Sequence, residues 1–245
     1  MDFALMWQIT PLLLEAAWVT VTISVLAFIL GLVVATILVI MRSSAFRLIR
    51  WPARIYISVI RGTPFFVQLL IFYYGGSAFG INLEAYTAGL LAIGLNGGAY
   101  MSEAIRGSII AVDKGQNEAS RSLGFSRTQT MISVILPQAA GLMIRSLGVL
   151  SVIIIKGSSL VSIISVVELT YQSQRIISST YKPFEVFAVS AAFYLILIYG
   201  VISFVDWLYN RYTRYRSHES EENIMNFDYT PVGDNRPSLL KGTGY

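Results

Sequence analysis

The sequence contains no cysteine and a single histidine among its 245 residues. Without cysteine, disulfide scaffolds, thiolate metal sites and cysteine nucleophiles are excluded. The one histidine, His218, lies in a charged C-terminal segment, which argues against a histidine-based metal or catalytic site. Charged residues are scarce as well, at 13% of the chain, whereas soluble globular domains usually carry about 25%.

Apolar residues are abundant instead. They make up 55% of the chain and the mean hydropathy is +0.63, which indicates a membrane protein. A spanning helix needs roughly 20 mainly apolar residues, and only Lys156 places a charge inside one of the candidate segments. We predict five spans, at residues 16–41, 62–83, 85–102, 146–167 and 186–205.

The first run is not predicted to be a signal peptide, because it is too long and no basic residue precedes it. Basic residues concentrate in alternate loops: four arginines lie between 42 and 54, five basic residues between 106 and 145, and none between 75 and 84. Since basic loops stay in the cytoplasm, we expect the N-terminus outside and the C-terminus inside. Residues 1–215 would form the transmembrane domain, and the polar segment 216–245 a poorly ordered cytoplasmic tail.

A polar island, "EASRSLGFSRTQTMISVILPQA", separates two of these apolar segments. We predict a short helix over residues 115–123 that ends at Gly124, since glycine tolerates a positive φ. Ser126 can begin a second helix, with Gln129 as its capping-box partner. Pro137 is predicted to mark the next break.

The first helix of the island has a small, flat face. Glu118 and Arg121 are spaced to pair on it, and Ala119 and Leu123 form a short apolar stripe. Such a helix could dock in a groove on another protein, or it could lie on the lipid surface as an amphipathic connector. The small residues Ala119 and Ser120 favour protein contact, because lipid-facing helices more often present Trp, Phe or Leu.

The island resembles the EAA loop of ABC-importer permeases. The matching positions are Glu118, Ala119, Ser120, Gly124, Val134, Leu136 and Pro137, with Ser120 and Val134 replacing the usual Ala and Ile. Other stretches resemble the polar amino-acid uptake permeases, the histidine, glutamine, arginine and cystine group. They are "RGTPFFVQLLIFYYG" (61–75), "AYMSEAIRGSI" (99–109), "DKGQNEASRSLG" (113–124), "KGSSLVSIISVVEL" (156–169) and "KPFEVF" (182–187).

This resemblance, over roughly residues 20–209, implies an all-α polytopic protein of the bacterial cytoplasmic membrane with the type I ABC-importer permease fold. It implies a second permease subunit, identical or related, a cytoplasmic ABC ATPase dimer, and an extracytoplasmic binding protein that delivers a polar amino acid. No nucleic acid partner is expected. The loop at about 107–145 would couple to the ATPase through Glu118, Ala119, Ser120, Arg121, Gly124, Leu136 and Pro137.

The chain itself is not expected to be an enzyme or to hold a metal. It lacks the G-x-x-x-x-G-K-[ST] phosphate-binding motif, so no cofactor is expected in it, and ATP and Mg²⁺ would be bound by the partner ATPase. Two other classes compete with this interpretation. An ion-coupled carrier acting alone would usually show inverted repeats and more spans, and an intramembrane enzyme would need catalytic residues that the sequence lacks.

Lys156 is the most informative residue within a span. Near mid-membrane a lysine costs about 2.5–3.5 kcal/mol on insertion scales, so it needs a partner or a water-filled cavity. Two interpretations stay open: Lys156 lines the translocation path and meets a substrate carboxylate, or it forms a structural ion pair with Glu103 or Glu168. The run Lys-Gly-Ser-Ser also suggests a locally broken helix whose backbone could contact substrate.

The candidate pathway residues are Lys156, Ser158, Ser159, Glu103, Glu168, Thr63 and Gln68. For Thr63 and Gln68, a polar contact between helices is an equally open interpretation. Family members often carry Asn seven residues before the lysine and Asp or Asn directly after it. This chain has Val149 and Gly157 there, which weakens the prediction of a substrate site within the membrane and weighs slightly against a cationic substrate.

Overall fold

The computed structural model describes residues 1–78 and 80–225, and within them the fold is all-α. Residues 1–209 form one compact unit, and the described residues from 210 onward belong to a second. Two π-helical segments, Ile71–Gly75 and Thr130–Ile135, and one 3₁₀ segment, Ser159–Ile164, join some of the α-helices. The α-helices are α1 (Phe3–Ser43), α2 (Arg47–Gly62), α3 (Phe65–Leu70), α4 (Gly76–Ala78), α5 (Ala85–Ile110), α6 (Lys114–Ser122), α7 (Arg127–Gln129), α8 (Leu136–Ser158), α9 (Leu169–Thr180) and α10 (Pro183–Met225).

The predicted spans at 16–41, 146–167 and 186–205 fall in helices that can cross a membrane. Among the described residues, three helical runs are long and apolar enough: Phe3–Ser43, Arg127–Ile164 and Pro183–Arg214. A fourth candidate is the pair Arg47–Gly62 and Phe65–Gly75, if the two pieces form one bent span. The fold is thus a polytopic α-helical membrane protein.

The predicted span at 85–102 lies in α5, which is long enough to cross but less apolar than the others. Its 26 residues extend over about 39 Å. The reason for its polarity is its packing against α1. A Cβ added to Gly31 of α1 would lie 3.1 Å from the carbonyl oxygen of Gly94, and one added to Gly98 would lie 2.7 Å from Val34 Cγ1. Small residues four apart let helix backbones approach closely, so α5 is built for protein contact rather than for lipid.

The prediction of one span over 62–83 was wrong in detail. The chain bends by 109° between Arg47–Gly62 and Phe65–Gly75, and the segment that we interpreted as a basic loop is the helix α2. Proline disfavours a helical conformation in the residue before it. Thr63 is accordingly extended, with φ −120° and ψ 147°, and Pro64 caps α3 as the first residue outside it.

The break predicted at Pro137 was also wrong. Pro137 lies in the first turn of α8, directly after the π-helical segment Thr130–Ile135, and the helical run continues from Arg127 to Ile164. At the other end the α-helix stops at Ser158 and tightens into the 3₁₀ segment, which ends at Ser165 in the left-handed region with φ 67°. The predicted local break after Lys156 is therefore a change of helix type.

The start of the chain is tied to the connection between α9 and α10. Asp2 caps α1 by accepting a hydrogen bond from the Leu5 backbone N–H at 3.0 Å, and Lys182 Nζ donates to its other carboxylate oxygen at 2.5 Å. Because the lysine donates this hydrogen bond, it holds the pKa of the Asp2 carboxyl below its usual value.

The segment predicted to be a poorly ordered tail, residues 216–245, begins as part of a helix. α10 continues to Met225, so the first ten residues of the segment that we expected to be poorly ordered are helical. The rest of that prediction, for residues 226–245, lies outside the described residues.

Candidate functional site

The polar island folds as predicted at both helix ends. α6 begins after Asp113, whose carboxylate accepts the Gly115 N–H at 2.7 Å. It ends before Gly124, which has the positive φ of +87° that the sequence suggested. Ser126 then caps α7 in a reciprocal box: the Gln129 N–H donates to Ser126 Oγ at 3.3 Å, and the Ser126 N–H donates to Gln129 Oε1 at 2.9 Å. These local contacts fix the island as a defined helical hairpin.

The surface of α6 is open. Glu118, Ala119, Arg121 and Gly124 are all exposed, and Leu123 is 78% exposed. These residues form an accessible face on α6.

Two details of α6 differ from the sequence prediction. Arg121 does not pair with Glu118; it donates to the Phe125 carbonyl at 3.4 Å, and Glu118 forms no ion pair within the part of the chain that the structure describes. Ser120, which we placed on the docking face, is buried, and its hydroxyl donates to the Gln116 carbonyl at 2.6 Å. The carboxylate of Glu118 is therefore available to a partner. Ser120 instead lies on the buried side of α6 and bonds within the helix.

α6 is connected to the membrane helices through side chains of α8. Gln138 Nε2 donates to Gln116 Oε1 at 3.0 Å, two residues after Leu136 and one after Pro137. Arg127–Ile164 is one continuous helical run, so the second half of the island, Lys156 and the 3₁₀ segment lie along the same helix. The proline that we expected to separate the island from the span lies inside this run.

Lys156 occupies the last turn of α8 and is exposed in this chain. It lies on one face of α8 with Val149 and Ile153, which are 63% and 56% exposed. The ion-pair interpretation was wrong, because neither Glu103 nor Glu168 contacts Lys156 among the described residues. Lys156 thus presents an unneutralised ammonium on a surface that is otherwise apolar.

Glu103 is held by arginines instead. Arg42 donates to its Oε1, Arg106 Nη2 lies 3.3 Å from its Oε2, and Arg61 Nη1 lies 3.9 Å from Oε1. These contacts join α1, α2 and α5 at one level.

Glu168 is completely buried as the N-cap of α9. Its Oε1 accepts the Tyr171 N–H at 2.8 Å, and its Oε2 accepts the Tyr194 hydroxyl at 3.0 Å, which links α9 to α10. The structure therefore places both carboxylates in contacts between helices.

Gln68 also makes contacts between helices, and Thr63 is one of its partners. The buried Gln68 Nε2 donates to the Ile60 carbonyl at 2.8 Å, to the Thr63 carbonyl at 3.1 Å and to Thr63 Oγ1 at 2.8 Å. These acceptors lie at the end of α2 and Gln68 lies in α3, so the hydrogen bonds join the two helices across the bend. The two serines after Lys156 are likewise used locally: Ser158 Oγ donates to the Ile155 carbonyl and Ser159 Oγ to the Lys156 carbonyl, both at 2.8 Å.

Sequence reasoning missed two polar residues beside the Lys156 face. A cavity of about 300 Å³ lies between α3, α5 and α8, and Asn96 and Tyr100 are its polar side chains, opposite Ile153 and Gly157. Asn96 is the one amide in the predicted span 85–102, and that isolated polarity was the signal available. Among the described residues, no cluster of His, Asp or Glu could hold a metal ion.

Comparison with known proteins agrees with this architecture. Residues 27–214 match the family described as binding-protein-dependent transport system inner membrane component. The glutamine transport system permease protein GlnP of Escherichia coli (strain K12) is 38% identical over 206 residues, which covers 83% of this chain and 94% of that protein. The L-cystine transport system permease protein TcyB of Bacillus subtilis (strain 168) is also 38% identical, over 82% of this chain and 86% of its own length.

Solved structures give the same result. A crystal structure of an amino acid ABC transporter with histidines matches with a TM-score of 0.82 at 38% identity, covering 86% of this chain and 99% of that one. An inward-facing MetNI methionine ABC transporter shares the fold, with a TM-score of 0.70 at 17% identity. Family, relatives and fold thus agree, and the chain belongs to the inner membrane components of binding-protein-dependent transport systems.

Proposed function

We propose that this chain is the permease subunit of an ATP-driven importer for polar amino acids, which moves its substrate by alternating access. Two relatives at 38% identity are named for glutamine and L-cystine transport, which supports this substrate class. The observation that carries the ATP-driven mechanism is α6, a capped helix with an exposed face, whose Glu118 forms no ion pair among the described residues. The hydrogen bond between Gln138 and Gln116 joins α6 to α8, which belongs to the continuous run Arg127–Ile164.

In this proposal a cytoplasmic ATPase dimer binds ATP and Mg²⁺ and engages α6 through Glu118, Ala119, Arg121 and Gly124. Movement of α6 is transmitted through Leu136 and Pro137 into α8. A second permease subunit, identical or related, completes the pathway, and an extracytoplasmic binding protein delivers the amino acid. The chain then lies in a bacterial cytoplasmic membrane with its N-terminus outside and α6 in the cytoplasm.

Within the pathway, Lys156 is the proposed contact for the substrate carboxylate. It is exposed, it has no acidic partner among the described residues, and the cavity beside it offers Asn96 and Tyr100. Glu103, Glu168, Thr63 and Gln68 act as contacts between helices that hold the pathway in shape rather than as substrate ligands.

The test is reconstitution of the purified transporter into liposomes with the binding protein and labelled polar amino acids. Uptake that needs ATP on the α6 side and stops without the ATPase supports the proposal. The competing function is an ion-coupled carrier. Uptake by this chain alone, driven by a proton or sodium gradient without ATPase, would establish that alternative.

A further inference from the structure

The outer surface of α2 has three distinct sides. Ala53 and Ile57 pack into the protein. Leu48, Ile55 and Val59 form an exposed apolar stripe, at 90%, 50% and 54% exposure. Arg47, Arg54 and Arg61, seven residues apart, share a third side. A helix with an exposed apolar stripe beside a row of basic residues is typical of the membrane–water interface.

The basic side of α2 forms one wall of a cavity. The cavity holds about 460 Å³, and Arg42, Arg54, Arg61 and Glu103 are its charged lining residues, with Tyr100 and Ser58 beside them. Three guanidinium groups and one carboxylate thus line the cavity. Arg42 already satisfies one oxygen of Glu103, and Arg106, from outside the cavity, satisfies the other.

Two of these arginines keep donors available. Arg61 is only 3.9 Å from Glu103, at the limit of an ion pair, and it lies over the Tyr100 ring at 5.6 Å. Arg54 is exposed and forms no ion pair among the residues that the structure describes. Guanidinium groups arranged in this way bind phosphate through paired N–H donors.

The level of the cavity fits a lipid headgroup. Glu103 is the nineteenth of the 26 residues of α5, about 27 Å from its start at 1.5 Å per residue, and the hydrocarbon core is about 30 Å thick. Arg42 lies at the end of α1. The charged cavity therefore lies near one boundary of the hydrocarbon region, with the apolar stripe of α2 beside it.

We propose that the cavity between α1, α2 and α5 binds the phosphate of an anionic phospholipid, with Arg54 and Arg61 as its donors. The acyl chains cover Leu48, Ile55 and Val59, which a soluble phosphate would leave exposed to water. The bound lipid neutralises the excess positive charge and fixes α2 against α5. This proposal does not depend on which solute is carried.

The experiment uses the full chain in detergent micelles, titrated with phosphatidylglycerol or with zwitterionic phosphatidylcholine. Bound lipid is counted by native mass spectrometry. The protein should bind phosphatidylglycerol more tightly, and Arg54→Gln should weaken that binding about fivefold, as expected for one basic residue near an anionic surface. Arg47→Gln is the matched control, because Arg47 lies on the same side of α2, is exposed and does not line the cavity.

Further measurements in this experiment distinguish an anionic phospholipid from the other possible occupants of the cavity. Equal binding of the two lipids, or equal losses in Arg54→Gln and Arg47→Gln, would overturn the proposal. Competition by millimolar inorganic phosphate would identify a soluble anion site instead. If Arg54→Gln changes the fraction of paired permease chains while lipid binding stays constant, the surface is a contact between subunits and the lipid site is refuted.

Discussion

The side-chain amide of Asn96 donates a hydrogen bond to Gln68 Oε1 at 2.9 Å and so ties α5 to the bend between α2 and α3. Gln68 uses its own amide N–H groups on the Ile60 and Thr63 carbonyls. One buried side chain of α3 therefore satisfies two backbone acceptors at the end of α2, across a bend of 109°. The bend needs such a contact because the chain around Pro64 interrupts the helical hydrogen bonding.

We expect Gln68→Leu to destabilise the protein by about 1–3 kcal/mol, since it leaves Asn96 and two backbone carbonyls without their partner. Thr63→Ala removes only one exposed acceptor of the same network and serves as the matched control, with an expected loss below about 1 kcal/mol. Thermal unfolding in detergent measures both. Equal stability of Gln68→Leu and the wild type would show that the bend does not depend on this residue.

Charge reversal at α6 tests coupling. Glu118→Lys should weaken binding of the ATPase and reduce uptake by at least about tenfold, because it places a cation where an unpaired carboxylate faces the partner. The fold should be unchanged, since Glu118 is exposed and forms no ion pair within the described residues. Co-purification of the ATPase and ATP-driven uptake are the measurements.

The matched control for this test is Glu84→Lys, the same charge reversal at an exposed glutamate before α5. It should keep ATPase binding. If Glu118→Lys also retains ATPase binding and uptake, α6 is not the coupling helix.

Local signals in the island were read correctly from sequence, whereas contacts made over long distances were not. Gly124 and the Ser126–Gln129 box depend on residues within one turn, so spacing alone was sufficient. The break predicted at Pro137 was wrong because a local signal could not show how the chain around it packs. A proline near a helix start is compatible with a break, a bend or an uninterrupted run, and packing decides among them.

Side-chain partners in the membrane could not be read from order along the chain. Glu103 was a plausible partner for Lys156, but tertiary packing brings Arg42 to it from 61 residues away. α5 was accepted as a span on length, and its lower hydropathy became understandable only when Gly31, Gly94 and Gly98 were seen to touch. The arginines between 42 and 54 predict a basic loop, whereas Arg47–Gly62 forms α2, an amphipathic helix with three sides.

Topology can be tested cleanly because the chain has no cysteine. Asn82→Cys and Asn117→Cys introduce single thiols at exposed positions in the loop before α5 and in α6. An impermeant maleimide added to intact cells should label Asn82→Cys, and Asn117→Cys should react only after the membrane is opened. Labelling of both, or of Asn117→Cys alone, in intact cells would refute the proposed orientation.

The pair of Asp2 and Lys182 predicts a small pH effect. The pKa of Asp2 is lowered in the folded protein, so the pair stabilises the fold above the usual aspartate pKa of about 3.9. That contribution disappears as the pH falls through the depressed folded pKa. Asp2→Asn should abolish this part of the acid dependence of thermal unfolding, and high salt should weaken it because the pair is exposed. An unchanged acid profile in Asp2→Asn would contradict the prediction.

Substitutions of Lys156 separate an effect on transport from an effect on stability most clearly. Lys156→Met removes an exposed charge that has no acidic partner among the described residues, so stability should change by no more than about 0.5 kcal/mol. If the ammonium contacts the substrate carboxylate, uptake should fall by at least about tenfold. This factor corresponds to a loss of about 1.4 kcal/mol of binding free energy. Lys156→Arg keeps the charge and should retain more uptake than Lys156→Met.

The neighbour Val149→Met controls for a change of shape on the same face of α8, outside the cavity that Asn96 and Tyr100 line, and it should transport normally. Because Glu103 and Glu168 are engaged elsewhere, Glu103→Gln should not restore uptake to Lys156→Met. Full uptake by Lys156→Met, or rescue by Glu103→Gln, would remove Lys156 from the pathway. The measurements are thermal unfolding and ATP-driven uptake of the same preparations, so that a folding defect and a transport defect are recorded separately.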